Sequence, residues 1–573
     1  MYYQSVIMDP GTIITLVDMC YRIGTKLIDV CSTWRHAETD VEKRVIIVES
    51  CWDRTKRQVD FVVRIAPIMD ADHCRVIDEL LNQLLLSLSL AVSTLEEVAQ
   101  RPSSSRPKIF LSRFRSKAAW VWQKEALDNV VSELEAWQRR FDPSWYLLIK
   151  IASPILDTEL AKAKATEAKV RGPGTTTKNP LALAVGLRNV LSPSFEQTRS
   201  LFLPEMPMEW ADIPFSDARA GRRQDARDDK WYIVDTIELG HATRLGSITR
   251  DVRVLAAKLA QADPLAFGLL NCKGVVPVPR PHIASTVAQQ SSESLEPPTS
   301  APPHLRSPSP GQRDYSHFQI IFRMPQGIER LQSLRQLLLD SDTDISLSRK
   351  INISRELAKA VNYVHTFAFV HKNIRPESVL CFEMPQSKYN HAVLVGFDAF
   401  RAADAGTLMG GDMTWARNVY RHPNRQGTDP SEKYSMRHDI YSLGVCLLEI
   451  GLWESFVKYG DAPEAPSNSL SAPQSKFGEP YYNFISWSQR KGPISSFNDL
   501  AWQLKGFLIE QASTKLAPRM GDKYAQVVVS CLTCLDADNE SFGELEVEDD
   551  DDDDAIGVRF IENVMKILDK ISL

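Results

Sequence analysis

Val370-His371-Lys372-Asn373-Ile374-Arg375-Pro376-Glu377-Ser378-Val379-Leu380 is the stretch on which the reading of this chain turns. A helical pattern over Leu347–Phe367 leads into it. Downstream lie Leu394-Val395-Gly396-Phe397-Asp398-Ala399 and then Tyr420-Arg421-His422-Pro423. Next comes Asp439-Ile440-Tyr441-Ser442-Leu443-Gly444-Val445-Cys446-Leu447-Leu448-Glu449, an apolar helix with an aspartate at its head. Upstream, Trp231–Ile237, Val275–Val278 and His317–Met324 read as strands, with a helical segment near Ile248–Gln261. A small sheet followed by a helical lobe is a two-lobed α+β layout.

In order and spacing, the four downstream stretches resemble a protein kinase. Val370–Leu380 is similar to the catalytic loop written HRDxKPxNxL. Leu394–Ala399 lies where a kinase places DFG, and Tyr420–Pro423 where the activation segment ends in APE. Asp439–Glu449 resembles the helix that buries an aspartate under the catalytic loop. The resemblance implies a bilobal kinase-like fold, with ATP and magnesium as its cofactors.

Phosphoryl transfer needs charged groups at fixed points, and here they are replaced. The carboxylate that would accept the substrate proton is Asn373, an amide with no proton affinity at neutral pH. The amide that would hold a second magnesium is Ser378. The metal-binding aspartate aligns with Phe397, which cannot ligate; Asp398, one position on, is the candidate rescue. Arg375 stands for the lysine that supports the transferred phosphate and keeps its charge as a planar fork.

In the small lobe, Trp231–Ile237 offers no lysine, and the best-aligned position is Ile237. Asp251-Val252-Arg253-Val254-Leu255 lacks the partner glutamate. Ala218–Arg223 carries one glycine where a phosphate-covering loop needs several. Losing several such groups together leaves little catalysis. No intact catalytic set and no metal set remain, and the missing lysine weighs against tight nucleotide binding. His371 and Asp439 are expected to keep structural roles, His371 packing under the loop and Asp439 holding its backbone.

The rest of the 573 residues sets limits. With 43% apolar residues, 24% charged residues and a net charge of −6, the composition is that of a soluble globular protein without a global basic field for nucleic acid. Nine irregularly spaced cysteines argue for a reducing compartment, and Cys531 and Cys534 read as core rather than zinc ligands. Asp9 and Asp18 interrupt any apolar leader. The run Leu80–Leu95 is too short to span a bilayer and reads as a buried helix.

Residues 1–153 read as a helical bundle. Its stripes are Ile13, Leu16, Val17, Cys20, Ile23, Leu27 and Val30, then Leu81, Leu84, Leu85, Leu88 and Val92, then Trp120, Leu127, Val130, Leu134, Trp137 and Phe141. Arg101–Lys117 interleaves basic and aromatic residues. It reads as a solvated inter-helix loop, as a contact for an anionic membrane, or as both. Residues 154–205 read as a linker, 206–325 as the small lobe with a Pro/Ser-rich insertion at 279–314, and 326–573 as the large lobe. A solvated acidic loop, Glu548–Asp554, precedes a last amphipathic helix over Ile556–Ile571.

The combination of HKNIRPE, GFD, YRHPNRQG and DIYSLGVCLLEIGLW, with Phe141-Asp142-Pro143-Ser144-Trp145, is similar to a group of fungal kinase-like proteins. These join a helical domain of the HeLo or prion-inhibition-and-propagation type to a degenerate kinase domain. The resemblance implies a pseudokinase that regulates a helical effector in cell-death or incompatibility signalling. Its partners would be other proteins, at a cytoplasmic location or peripheral to a membrane. An active serine/threonine kinase with relocated residues and a pure interaction scaffold without nucleotide stand as the alternatives.

Overall fold

Apolar residues recurring every three to four positions build α1 (Pro10–Ser32), α2 (Thr39–Ile65), α3 (Ala71–Gln100) and α4 (123–138). The computed structural model describes residues 10–34, 39–69, 71–100, 123–138, 141–142, 158, 201–224, 230–239, 245–280, 315–340, 345–384, 390–402, 412–460, 474–492, 494, 496–542 and 552–571. Ile13, Leu16, Val17, Cys20 and Leu27 are buried, and so are Leu81, Leu84, Leu88, Val92, Leu127, Val130, Leu134, Trp137 and Phe141. Ile23, Val30 and Leu85 of the same stripes are half-buried. The helix α2, which shows no stripe as continuous as these, buries Val41, Val45, Val48, Trp52, Val59 and Val62.

Gly24 has a steric reason. A β-carbon there would lie 2.1 Å from the Trp52 ring, so only glycine lets that indole cross α1. The Trp137 indole donates to the Leu80 carbonyl (2.8 Å), tying α4 to α3. Over His73–Ala99, α3 is long and apolar enough to cross a membrane. Its Leu80, Leu81, Leu84, Leu88 and Leu95 are nonetheless buried within the protein. The basic stretch Arg101–Lys117 and residues 281–314 of the insertion lie outside the described residues.

A five-stranded antiparallel sheet follows, in the order β1 (Met208–Asp212), β2 (Arg219–Arg223), β3 (Trp231–Glu238), β5 (Tyr315–Arg323), β4 (Cys272–Pro279). The helix α5 (Leu245–Leu259) connects β3 to β4. Leu201–Leu203, expected to end the linker, instead runs beside β4. The Leu203 N–H donates to Val275 (2.7 Å) and the Val275 N–H to Leu201 (2.9 Å).

Beyond the sheet, α6 (Leu347–Thr366) and α7 (Met436–Leu452) are packed together. All of α7 except Arg437 is buried, as befits a helix apolar on every side. The helix α10 (Asp522–Leu532) packs on it, and α9 (Phe497–Gln511) joins α10 to α8 (Glu479–Lys491). Cys531 and Cys534 are buried, and all nine cysteines are free. The three-stranded sheet β6 (Glu329–Ser333), β8 (Val379–Glu383), β9 (His391–Leu394) flanks the loop after β7 (Phe369–Val370).

The final helix, α11, runs from Asp552–Phe560 through one wider turn, Ile561–Met565, into Lys566–Asp569. Arg355 on α6 donates to the carbonyls of Leu568 (3.0 Å) and Ile571 (2.5 Å), satisfying acceptors that a helix end leaves open.

Candidate functional site

The loop His371–Ser378 is built from below by Asp439 at the head of α7. Its carboxylate accepts the backbone N–H groups of His371 (2.7 Å) and Lys372 (2.9 Å), and the Tyr434 hydroxyl (2.7 Å). His365 Nε2 lies 3.2 Å away. Burial opposes the charge of Asp439, but these donors outweigh it and hold the carboxyl below its ordinary range. Lys372 is thereby kept at φ 65°, a left-handed conformation that costs a non-glycine residue energy. His371 donates from Nε2 to the Val395 carbonyl (3.1 Å), and burial lowers its pKa to about 4, so the ring is neutral.

A second anchor is ionic. Arg335, fully buried, donates to Glu377 (3.0 Å), to Glu449 on α7 (3.1 Å), to Ser455 and to the Tyr420 hydroxyl (2.5 Å). Burial opposes the charge of Glu377, but Arg335 and Arg375 overcome it and bring its pKa down to about 2. Glu449 shifts upward because burial outweighs its share of Arg335. A buried charge survives only with partners of this kind.

The upper face of the loop has a different character. Arg375 directs Nη2 at both carboxylate oxygens of Asp217 (2.5 and 2.6 Å), donates from Nε to the Asn373 side-chain oxygen (2.7 Å) and has Nη1 3.3 Å from Glu377. The Asn373 amide donates to Asp398 (2.8 Å) and Asp217 (3.2 Å), with the Gly396 carbonyl at 3.3 Å. The Ser378 hydroxyl lies 2.7 Å from the Asn373 carbonyl and accepts the Arg375 N–H (3.1 Å), so it braces its own loop. Asn373, Ser378, Arg375 and Asp398 are therefore brought together, but each is engaged by another. Burial, then repulsion from Asp217, raises the Asp398 pKa.

Asp217 comes from the turn between β1 and β2, which contains no glycine and is pinned down onto the loop. The Ser216 hydroxyl and the Asp217 N–H both donate to the Glu377 carbonyl (3.1 and 3.3 Å). Ser333 donates to the Pro214 carbonyl (2.6 Å), and Phe215 stacks on Tyr459 at 5.0 Å.

Phe397 does not face this cluster. It is buried against His371 (4.7 Å between ring centroids) and Phe322 (6.4 Å). Gly396, at φ 81°, stands there instead. A β-carbon on it would lie 2.9 Å from that of Ser378 and 3.2 Å from the Asn373 amide nitrogen. Gly396, one residue before the Phe397 of the expected alignment, is thus the position that meets the loop, and it carries no side chain and has no room for one.

Ile237 lies in the core, whereas Asp235 of β3 reaches the 394–399 segment. Its Oδ2 accepts the N–H groups of Gly396 (2.8 Å) and Phe397 (3.3 Å), and Oδ1 has no hydrogen-bond partner. Burial drives its pKa up to about 7, against the pull of those two amides. Sequence reading missed Asp235 and Asp217. A lone acid inside the apolar strand Trp231–Ile237 was a signal for the first; nothing local marks the second.

Among the described residues, His422, Glu432 and His438 come nearest to a metal-ligand set. Their hydrogen bonds argue against one. Nδ1 of His438 accepts the Ser435 N–H (3.0 Å), and Nδ1 of His422 faces the Asn424 N–H (3.4 Å). The His438 ring proton then sits on Nε2, the nitrogen that a cation would need. Lys505 places its ammonium 3.2 Å from His422 Nε2 as well.

The helical N-terminal region followed by a sheet-containing region makes this a multidomain α+β protein. The chain is similar to a serine/threonine-protein kinase-like protein of Arabidopsis thaliana, with 32% identity over 124 residues. That stretch is 21% of this chain and 33% of the relative, and the likeness supports a kinase-like relationship. No protein-family profile matches the chain.

Proposed function

We propose that this chain is a regulatory protein of bilobal protein-kinase fold whose cleft does not transfer phosphoryl groups, coupled to a helical signalling region. The single observation that carries the reading is the chain of hydrogen bonds Asp217–Arg375–Asn373–Asp398, in which Asn373 also donates to Asp217. Transfer requires a free carboxylate for the substrate proton, a cation for the phosphate and an open passage for nucleotide. Here an amide replaces the carboxylate, the guanidinium is neutralised by the chain's own aspartate, and the turn that should cover phosphates rests on the loop.

The strand order and the helix between β3 and β4 support the small lobe of that fold, and α6 with α7 supports the large one. Asp235 adds to the case, because it puts an acid and not a lysine on β3 against the 394–399 segment. The resemblance to fungal HeLo-type proteins gives the helical region an effector role in cell-death or incompatibility signalling. It would act with protein partners at a cytoplasmic or peripheral membrane site, with Arg101–Lys117 as the segment offered to anionic lipid.

The experiment is transfer of radiolabelled phosphate from Mg·ATP to the protein itself and to a generic substrate, with nucleotide occupancy followed by thermal shift. No transfer is expected. One observation favours an active kinase instead: the Asp398 carboxylate stands 2.8 Å from Asn373, within reach of the catalytic loop. Clear transfer abolished by Asp398→Ala would establish that reading.

A further inference from the structure

The helix α11 has two kinds of side chain. Ile561, Val564, Met565 and Leu568 are buried, and Arg355 fastens its end to α6. On another side Glu562, Lys566 and Lys570 succeed one another at four-residue steps, and these meet α3. Glu562 accepts from Arg75, while Glu79 accepts from Lys566 (2.8 Å) and Lys570 (3.2 Å). Burial works against the charge of Glu79, but the two lysines outweigh it and hold its carboxyl below the usual range.

Three features make this more than a surface ion pair. Lys566 is 3% exposed, and Glu79 is the acid that answers its ammonium. The pairs Arg75–Glu562 and Glu79–Lys566 have the same sequence offset of 487 residues, so α3 and α11 meet in one parallel register. Opposite charges face each other in both pairs, and sliding α11 by one turn would set Arg75 against Lys566. Complementary charges at facing positions specify register and disfavour alternatives.

We propose that Arg75, Glu79, Glu562, Lys566 and Lys570 form a latch by which α11 holds the N-terminal helical region on the kinase-like lobe, and that neutralising Glu79 releases it. With Glu79 uncharged, the docked state must bury the Lys566 ammonium without a counter-charge. Separation relieves that cost by returning the ammonium to water. The proposal rests on the coupling of the two regions proposed above and not on the inert cleft.

Hydrogen–deuterium exchange on the full chain tests it, comparing wild type with Glu79→Gln and with the triple reversal Glu79→Lys, Lys566→Glu, Lys570→Glu. Glu79→Gln is expected to speed exchange at least tenfold in segments 71–82 and 556–570 while α7 stays unchanged. The triple reversal is expected to restore slow exchange. Unchanged exchange in Glu79→Gln, or a triple reversal as loose as the single variant, overturns the latch. Should Glu79→Gln loosen α7 as well, Arg75→Gln decides: tenfold faster exchange confined to the two segments supports the latch, and any other pattern overturns it. Phosphate transfer reads the cleft and exchange reads the junction, so either proposal can fail alone.

Discussion

The two faces of the loop His371–Ser378 are both rich in charge, yet they use it differently. Below, Asp439 and Arg335 spend their charges on backbone amides, buried carboxylates and phenols, and so fix the shape of the chain. Above, the charges of Asp217, Arg375 and Asp398 are taken up by one another, by the Asn373 amide and by Glu377. A charge engaged with the scaffold leaves the opposite face free to meet a substrate. A charge engaged with its neighbour across a cleft leaves nothing to offer. The contrast is between polar groups that hold the scaffold and polar groups that hold one another.

Breaking the lower face should have the largest effect. Arg335→Ala strands two buried carboxylates and is expected to cost about 3–5 kcal/mol in chemical unfolding. Asp235→Asn should act in the opposite direction, and only above acidic pH. A buried acid whose pKa is raised to about 7 stabilises the fold fully below its unfolded pKa of about 4. That stability is lost as pH rises between the two values, at roughly 1.4 kcal/mol per unit. The variant, which keeps an acceptor for Gly396 and Phe397, should melt like wild type near pH 4 and above it at pH 7.5.

Gly396→Asp sharpens the comparison on the upper face. It puts back an acid ahead of Phe397, but at φ 81° and against Ser378. It should lower stability by about 1–3 kcal/mol and leave radiolabel transfer at background. The smallest effect is expected from Asp217→Asn, within about 1 kcal/mol on unfolding, because its carboxylate is part-exposed. Its mark should instead be faster amide exchange in residues 213–218; unchanged exchange there would mean that the turn is held without Arg375.

The supporting parts of the molecule were legible in the sequence because they are local and periodic. The stripes of α1, α3 and α4, the apolar helix α7 and the strands β3, β4 and β5 all announce themselves by spacing. Asn373 and Ser378 were legible because the resemblance supplies their positions. Other features resisted. The strands β1 and β2 are short and polar, reading as a loop with one glycine. The offset at Gly396-Phe397-Asp398 depends on which side chain packs against His371, a tertiary fact that no linear motif contains. Asp217 acts on a loop more than 150 residues away, across a gap that periodicity cannot bridge.

The offset of 487 residues between α3 and α11 bears on how the molecule is assembled. Closing so long a loop is slow, because chain entropy is surrendered before the contact repays it. During synthesis α3 emerges hundreds of residues before its counterpart, so helices α1 to α4 must first settle around their own core. The junction then forms as a late docking of two finished pieces, and a ribosome stalled before residue 552 would release a helical region that lacks this junction.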